Sequence, residues 1–350
     1  MKEAKETKKK GKVGKVIRWI LLGLLILLAA LTIWNQICTA MEKRKISALN
    51  YGNSTLNVDG SYLNLQIDGD MNEQTIVLLP GLGAAYPILE FRPLAEALSD
   101  TYRVVTVEPL GYGLSDTADS PRTVNAVVAE LHSCMETLGY SDYYLMAHSF
   151  GGIYSLAWAN QFPDEVDGFI GIDPSVPKQI DCNPFPINTM TLNSILTGVD
   201  RFITFTGIKR LTSIGNPRNA VQLDMSYPYT DADLEAARMM VLDRAYNKSS
   251  LNESRGLKNA LLSTREMTFP ADVPVLNFVC TSNCEMMPEW EPMHHDIITE
   301  TEYSEVVKLE GQHYLHLDNK QNIVDKVKEW IPTVPAKGGS AEDVFDEHED

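Results

Sequence analysis

The feature that most restricts this chain is an alternation of short apolar runs with amphipathic stretches. Runs of strand length lie at Thr75–Leu79, Tyr102–Val107, Tyr143–Met146, Gly168–Ile172, Val275–Val279 and Glu305–Leu309. Between most of them, Ile88–Leu98, Val124–Leu138, Gly152–Gln161 and Asn322–Trp330 carry apolar residues at helical spacing. Strands apolar on both faces, separated by amphipathic helices, predict a mostly parallel sheet covered on both sides. Ahead of them, residues 55–67 alternate around Asp59-Gly60, which reads as a β-hairpin. The alternation breaks at residues 175–270, where Asn193–Phe205 and Asp231–Tyr246 read as helices. An insertion at the carboxyl end of parallel strands would lie over the ligand crevice. No period of 20–50 residues repeats, which excludes a solenoid.

Charge divides the chain into regions. Residues 1–18 hold eight Lys or Arg against Glu3 and Glu6, whereas 337–350 hold Lys337 against six carboxylates. The net charge of −17 opposes non-specific binding to nucleic acid, which requires a basic face. From Trp19 to Met41 no residue is charged, and Trp19–Trp34 is almost continuously apolar. About 20 helical residues cross a hydrocarbon layer ~30 Å thick. The basic excess before this run predicts a cytoplasmic N-terminus and an extracytoplasmic domain. A cleaved signal peptide is the alternative, with Cys38-Thr39-Ala40 as a small-residue site. The run exceeds the ~7–15 apolar residues of a usual signal, which favours a retained anchor. The expected organisation is a basic segment (1–18), an anchor (19–41), an α/β core (50–174 and 271–332), a helical cap (175–270) and a disordered acidic tail (333–350). The five cysteines fit neither a zinc-ligand spacing nor a disulfide framework and are expected to be free thiols.

The chemistry centres on Ala147-His148-Ser149-Phe150-Gly151-Gly152, where a strand enters a tight turn and then a helix. Small residues at 147 and 151 let strand and helix approach, so that Ser149 stands exposed on the bend. Upstream, Pro80-Gly81-Leu82-Gly83 follows a buried strand. Such a turn aims backbone amides at a developing oxyanion, and Leu82 and Phe150 are the expected donors. Glu108-Pro109-Leu110-Gly111-Tyr112-Gly113 closes another strand and is given a shaping role. After the last strand, Gly311-Gln312-His313 offers a general base for Ser149, with His316 as its rival three residues on. His294, His295 and Asp296 are read as a polar loop in preference to a metal site. The methionines at 239, 240, 286, 287 and 293 are read as core or pocket lining.

These four motifs, in this order, resemble the α/β-hydrolase fold family over about residues 55–332. With its N-terminal anchor the chain is similar to membrane-anchored bacterial serine hydrolases. The resemblance implies a Ser–acid–His triad with Ser149 as nucleophile and His313 as base, a helical cap, and no cofactor or metal. The implied substrate is a small ester or acyl compound, cleaved through an acyl-enzyme. An amide or peptide hydrolase and a non-catalytic binding domain are the alternatives. The family usually places the acid after the strand read at Val275–Val279, where Glu285 is the nearest carboxylate. A less common position, after the preceding strand, offers Asp173. Glu285 is the first expectation and Asp173 the second.

Overall fold

The computed structural model describes residues 2–182, 189–335 and 337, with side chains from residue 14 onward except 189–193. Most of the acidic tail expected from the sequence, residues 338–350, lies outside the described residues.

Eight strands form one sheet in the order β1-β2-β4-β3-β5-β6-β7-β8. β1 (Ser54–Val58) and β2 (Ser61–Asp68) make the hairpin expected around Asp59-Gly60, and β2 adds antiparallel to β4 (Arg103–Glu108). The remaining strands are parallel: β3 (Thr75–Leu79), β5 (Tyr143–His148), β6 (Val166–Ile172), β7 (Val275–Cys280) and β8 (Glu305–Leu309). Strand periodicity sorts the side chains by face. Ile76 and Leu78 of β3 join Tyr144 and Met146 of β5 in one core, and Val77, Leu79, Leu145 and Ala147 enter the other.

α2 (Pro87–Leu98) and α12 (Lys320–Trp330) cover the first face; α3 (Val124–Leu138) and α4 (Gly151–Gln161) cover the second. α3 shows how locally these helices are specified. The Thr123 side chain accepts the Ala126 N–H at 3.2 Å at its start. Gly139, with φ of 78°, ends it in a left-handed turn that a side chain would strain.

Between β6 and β7 the described residues contain only helices. These are α5 (Thr189–Thr206), α6 (Ile208–Thr212), α7 (Asp231–Arg244) and α8 (Lys248–Ser263), together with two short 3-10 turns. α7 packs Leu234, Met239 and Met240 against Tyr86 and Leu89 at the start of α2. Of the other methionines in the sequence-predicted cluster, Met293 is buried, Met287 is half-buried and Met286 is exposed.

α1 (Lys2–Ile46) contains one stretch, Gly14–Ile46, long and apolar enough to cross a membrane, and its apolar window is unburied. Its C-terminal end is clamped to the inserted helices. The buried Arg210 guanidinium donates to Asn35 Oδ1 at 2.7 Å, Thr39 Oγ1 at 2.9 Å and Glu42 Oε1 at 2.7 Å. Arg238 meets the same Glu42 oxygen at 2.6 Å. A buried guanidinium is tolerated where its donors find acceptors, as they do here.

Candidate active site

The carboxyl ends of β5, β6 and β8 converge on one point. β5 runs into Ser149, whose φ of +52° lies in the left-handed region that non-glycine residues rarely occupy. Such a conformation costs about 1–3 kcal/mol and persists where the surroundings fix it. They do so here: the Ser149 N–H donates to Ile172 O at 3.3 Å, and Ser149 O accepts from the amides of Gly152 at 3.0 Å and Ser175 at 2.7 Å. Glycine is required where the neighbouring turn crosses. A Cβ on Gly81 would stand 3.0 Å from Ser149 Cβ and 3.1 Å from His148 Nδ1.

His313, in the turn after β8, places Nε2 at 2.9 Å from Ser149 Oγ. Its Nδ1 lies 2.6 Å from Asp173 Oδ2. This pairing assigns the Nδ1–H tautomer, leaving the Nε2 lone pair for the serine hydroxyl.

Asp173, not Glu285, meets the imidazole. The sheet register explains why. His148 pairs with Ile172, so the next residues, Ser149 and Asp173, leave neighbouring strands at the same height. Asp173 also sits at positive φ, +44°, and is fully buried. Burial alone would raise its pKa, but the hydrogen bond and charge of His313, with those from Cys280 N–H and Trp290, hold it below the ordinary carboxylate value. The donors are close: Cys280 N at 3.0 Å, Trp290 Nε1 at 2.9 Å and Asn283 Nδ2 at 2.5 Å. The first expectation fails because β7 passes directly into helix α9 (Thr281–Met286). That helix carries Glu285 out to solvent. The segment after β7 holds the acid in place instead of supplying it.

His316, the rival base, is buried and turned toward Glu90, with Nε2 at 3.1 Å from Oε1. His294, His295 and Asp296, read as a polar loop, instead end helix α10 (Trp290–Asp296). His294 is buried inside it, its ring nitrogens 2.6 and 2.9 Å from the carbonyls of Trp290 and Pro174. The run of His and Asp hid an amphipathic turn whose apolar members are Trp290 and Met293.

His148 is also buried. Burial, then the neighbouring His316 and His313, pushes its pKa well down and keeps it neutral. Its Nε2 donates to the His313 carbonyl at 3.2 Å, tying the backbone of the turn after β8 to the end of β5. Glu90, His148 and His316 bring one donor atom each within 4.8 Å of one another. Both histidines keep an unpartnered Nδ1. Among the described residues, this set has the composition to hold a metal ion.

The amides of Leu82 and Phe150 find no acceptor among the described residues. Their turn is braced from the inserted helices. Gly83 N–H donates to Tyr112 Oη at 2.9 Å, and Tyr112 in turn donates to Glu253 of α8 at 2.8 Å. Tyr154 of α4 donates to the second Glu253 oxygen. Sequence reading gave the Tyr112 turn a shaping role but missed Glu253. Asn247, whose side chain accepts the Ser249 and Ser250 amides, was the legible helix-start signal. In front of Ser149 lies a cavity of about 530 Å³, lined by Leu82, Tyr86, Thr197, Asp200, Tyr246 and Leu251 among others.

Residues 74–198 match the model of the alpha/beta hydrolase fold. Solved structures agree over most of the chain. Cfl2 from Burkholderia cenocepacia superposes with a TM-score of 0.60 over 79% of this chain and 94% of its own, at 18% identity. An epoxide hydrolase from Vigna radiata does so with 0.54 over 80% and 97%, at 17% identity. This chain has the α/β-hydrolase fold. Among curated proteins, the uncharacterized protein YbdG of Bacillus subtilis is 30% identical over 58% of this chain and 58% of its own length. The 2-(acetamidomethylene)succinate hydrolase of Mesorhizobium japonicum is 31% identical over 24% and 30%. The chain spans about half the length of the first curated relatives it matches. Within the α/β-hydrolase fold, position 149 is the strand-to-helix bend, and the segment between β6 and β7 lies over it.

Proposed function

We propose that this α/β-hydrolase-fold chain is a membrane-anchored serine hydrolase that cleaves a carboxylic ester through an acyl-enzyme. The carrying observation is the unbroken relay Ser149 Oγ–His313 Nε2, His313 Nδ1–Asp173 Oδ2, at 2.9 and 2.6 Å. A hydroxyl on a tight bend with a base in contact, itself oriented by a buried carboxylate, suits nucleophilic attack on an acyl carbon. Matches to hydrolases support the class, and the serine hydroxyl supports acyl chemistry within it.

In this reading His313 Nε2 takes the hydroxyl proton as Ser149 Oγ bonds to the carbonyl carbon. The carbonyl oxygen gains the negative charge and is held by the free amides of Leu82 and Phe150. His313 returns the proton to the departing alcohol oxygen. Water, deprotonated by the same imidazole, then releases the acid and restores Ser149. Asp173 holds the tautomer and stabilises the imidazolium without taking its proton. Residues 175–270 serve as the cap, and α1 as a retained anchor with its basic end in the cytoplasm.

A fluorophosphonate probe tests the class: it should modify the peptide containing Ser149 in the folded protein. A folded chain that stays unlabelled overturns the enzyme reading and leaves a binding domain. Turnover of p-nitrophenyl esters should exceed that of aminoacyl anilides; the reverse preference assigns an amide hydrolase. Tyr112→Phe tests the brace beneath the Leu82 amide. Its buried hydroxyl both accepts and donates, so about 1–3 kcal/mol of stability should go with it. The kcat should fall more than KM rises, by up to the ~10²–10³ assigned to one oxyanion donor. Unchanged kcat would detach the brace from catalysis.

A further inference from the structure

The face that α5 turns outward is apolar. Ile195, Leu196, Val199, Phe202 and Phe205 are between 50% and 59% exposed. Positions 195, 199 and 202, with 196 beside 199, form one stripe at helical spacing. A contiguous patch of this kind marks a surface that is covered in use.

The structure says what lies beside it. α5 ends against the apolar helix: the Asn35 amide donates to the carbonyls of Thr204 and Phe205 at 3.1 and 3.0 Å. Asn35 is six residues short of Met41, where the uncharged run stops. At ~1.5 Å per residue that is about 9 Å inside the end of the span. Amphipathic helices lying in a membrane surface bury their apolar face by ~5–10 Å. Beyond Met41 come Glu42, paired with Arg210 and Arg238, and then Lys43, Arg44 and Lys45, whose charge suits lipid phosphates. The opposite face of α5 belongs to the catalytic cavity, through Thr197 and Asp200. Asp200 is held there by Lys209 at 2.8 Å and by the Tyr246 hydroxyl at 2.5 Å. One helix therefore separates the space in front of Ser149 from the layer that α1 crosses.

We propose that α5 seats its apolar face in the adjoining leaflet of that bilayer, and that the substrate is a membrane-resident acyl lipid. The lipid ester passes α5 to reach Ser149. This rests on the anchored serine-hydrolase reading above and narrows its substrate class.

The full chain in phosphatidylcholine vesicles tests the seat independently of catalysis. Phe202→Trp and Met71→Trp are each made in a Trp19→Phe, Trp34→Phe background and compared in vesicles with ordinary or dibrominated acyl chains. The indole added at position 202 should lose at least half its emission in brominated vesicles, and that at position 71, on a 94% exposed site, should lose none. Equal emission at position 202 in both vesicle types overturns the proposal. The second arm reads the substrate. Val199→Asp with Phe202→Asp, neither residue lining the cavity, should cut hydrolysis of a diacylglycerol in the vesicles at least tenfold. Turnover of soluble p-nitrophenyl acetate should be unchanged. An equal fall for both esters, or none for either, overturns lipid delivery by α5. Failure of the hydrolase reading itself has a different signature, an unlabelled Ser149 in chains whose indole at position 202 is still quenched.

Discussion

Ser149→Ala lowers kcat for a p-nitrophenyl ester by about 10⁶-fold and abolishes fluorophosphonate labelling. A loss of that size corresponds to ~8 kcal/mol of barrier, more than binding or positioning residues outside the reacting atoms supply. It is expected because the hydroxyl forms the bond, and its neighbours cannot replace it. Alanine keeps the Cβ that rests against Gly81, so the bend is retained. The thermal midpoint measured beside the kinetics should match the wild type. KM should change little, because the cavity walls in front of position 149 stay in place. A variant that is folded yet retains more than a hundredth of the wild-type rate would show that another group attacks.

Asp173→Asn lowers kcat by about 10⁴-fold, whereas Glu285→Gln leaves it within about twofold. The asparagine amide keeps the size of the side chain. It offers an N–H where His313 Nδ1 needs an acceptor, so the imidazole turns its proton toward Ser149 and the base is lost. Glu285 is exposed on α9 and has no path to the ring. The two variants are compared on one ester across pH. The carboxylate also contributes to stability. Because its pKa is depressed in the fold, that contribution is present above the unfolded value near ~3.9 and is lost as pH falls through the folded value. The stability gap between wild type and Asp173→Asn should therefore close in strong acid. A gap that widens there, or a rate loss in Glu285→Gln instead, would return the acid to the segment after β7.

How far the sequence carried this assignment depends on range. β3 falls where Thr75–Leu79 predicts it, because a buried parallel strand announces itself as an apolar run. Ser149 and His313 were legible because each lies in a local turn whose small residues carry the signal. The acid was legible only as the second of two candidates, Asp173 behind Glu285, because its position depends on register. Nothing in residues 170–175 alone states that Ile172 pairs with His148, and that pairing brings carboxylate and hydroxyl to the same height. α10 was hidden for a related reason. His294 is buried among partners that lie far along the chain, so its environment cannot be inferred from its neighbours in sequence. Glu253 reads as a solvated charge on a polar helix until two phenols converge on it from the core.

The adjacency of β5 and β6 has a consequence for biogenesis. Hydroxyl and carboxylate emerge together from the ribosome's middle stretch of chain, but the imidazole arrives some 140 residues later, behind the last strand. An unfinished or C-terminally clipped polypeptide therefore carries an inert serine. In the proposed reading, acyl transfer switches on only when β8 closes the edge of the sheet, so that turnover would report that synthesis and folding of the domain are complete.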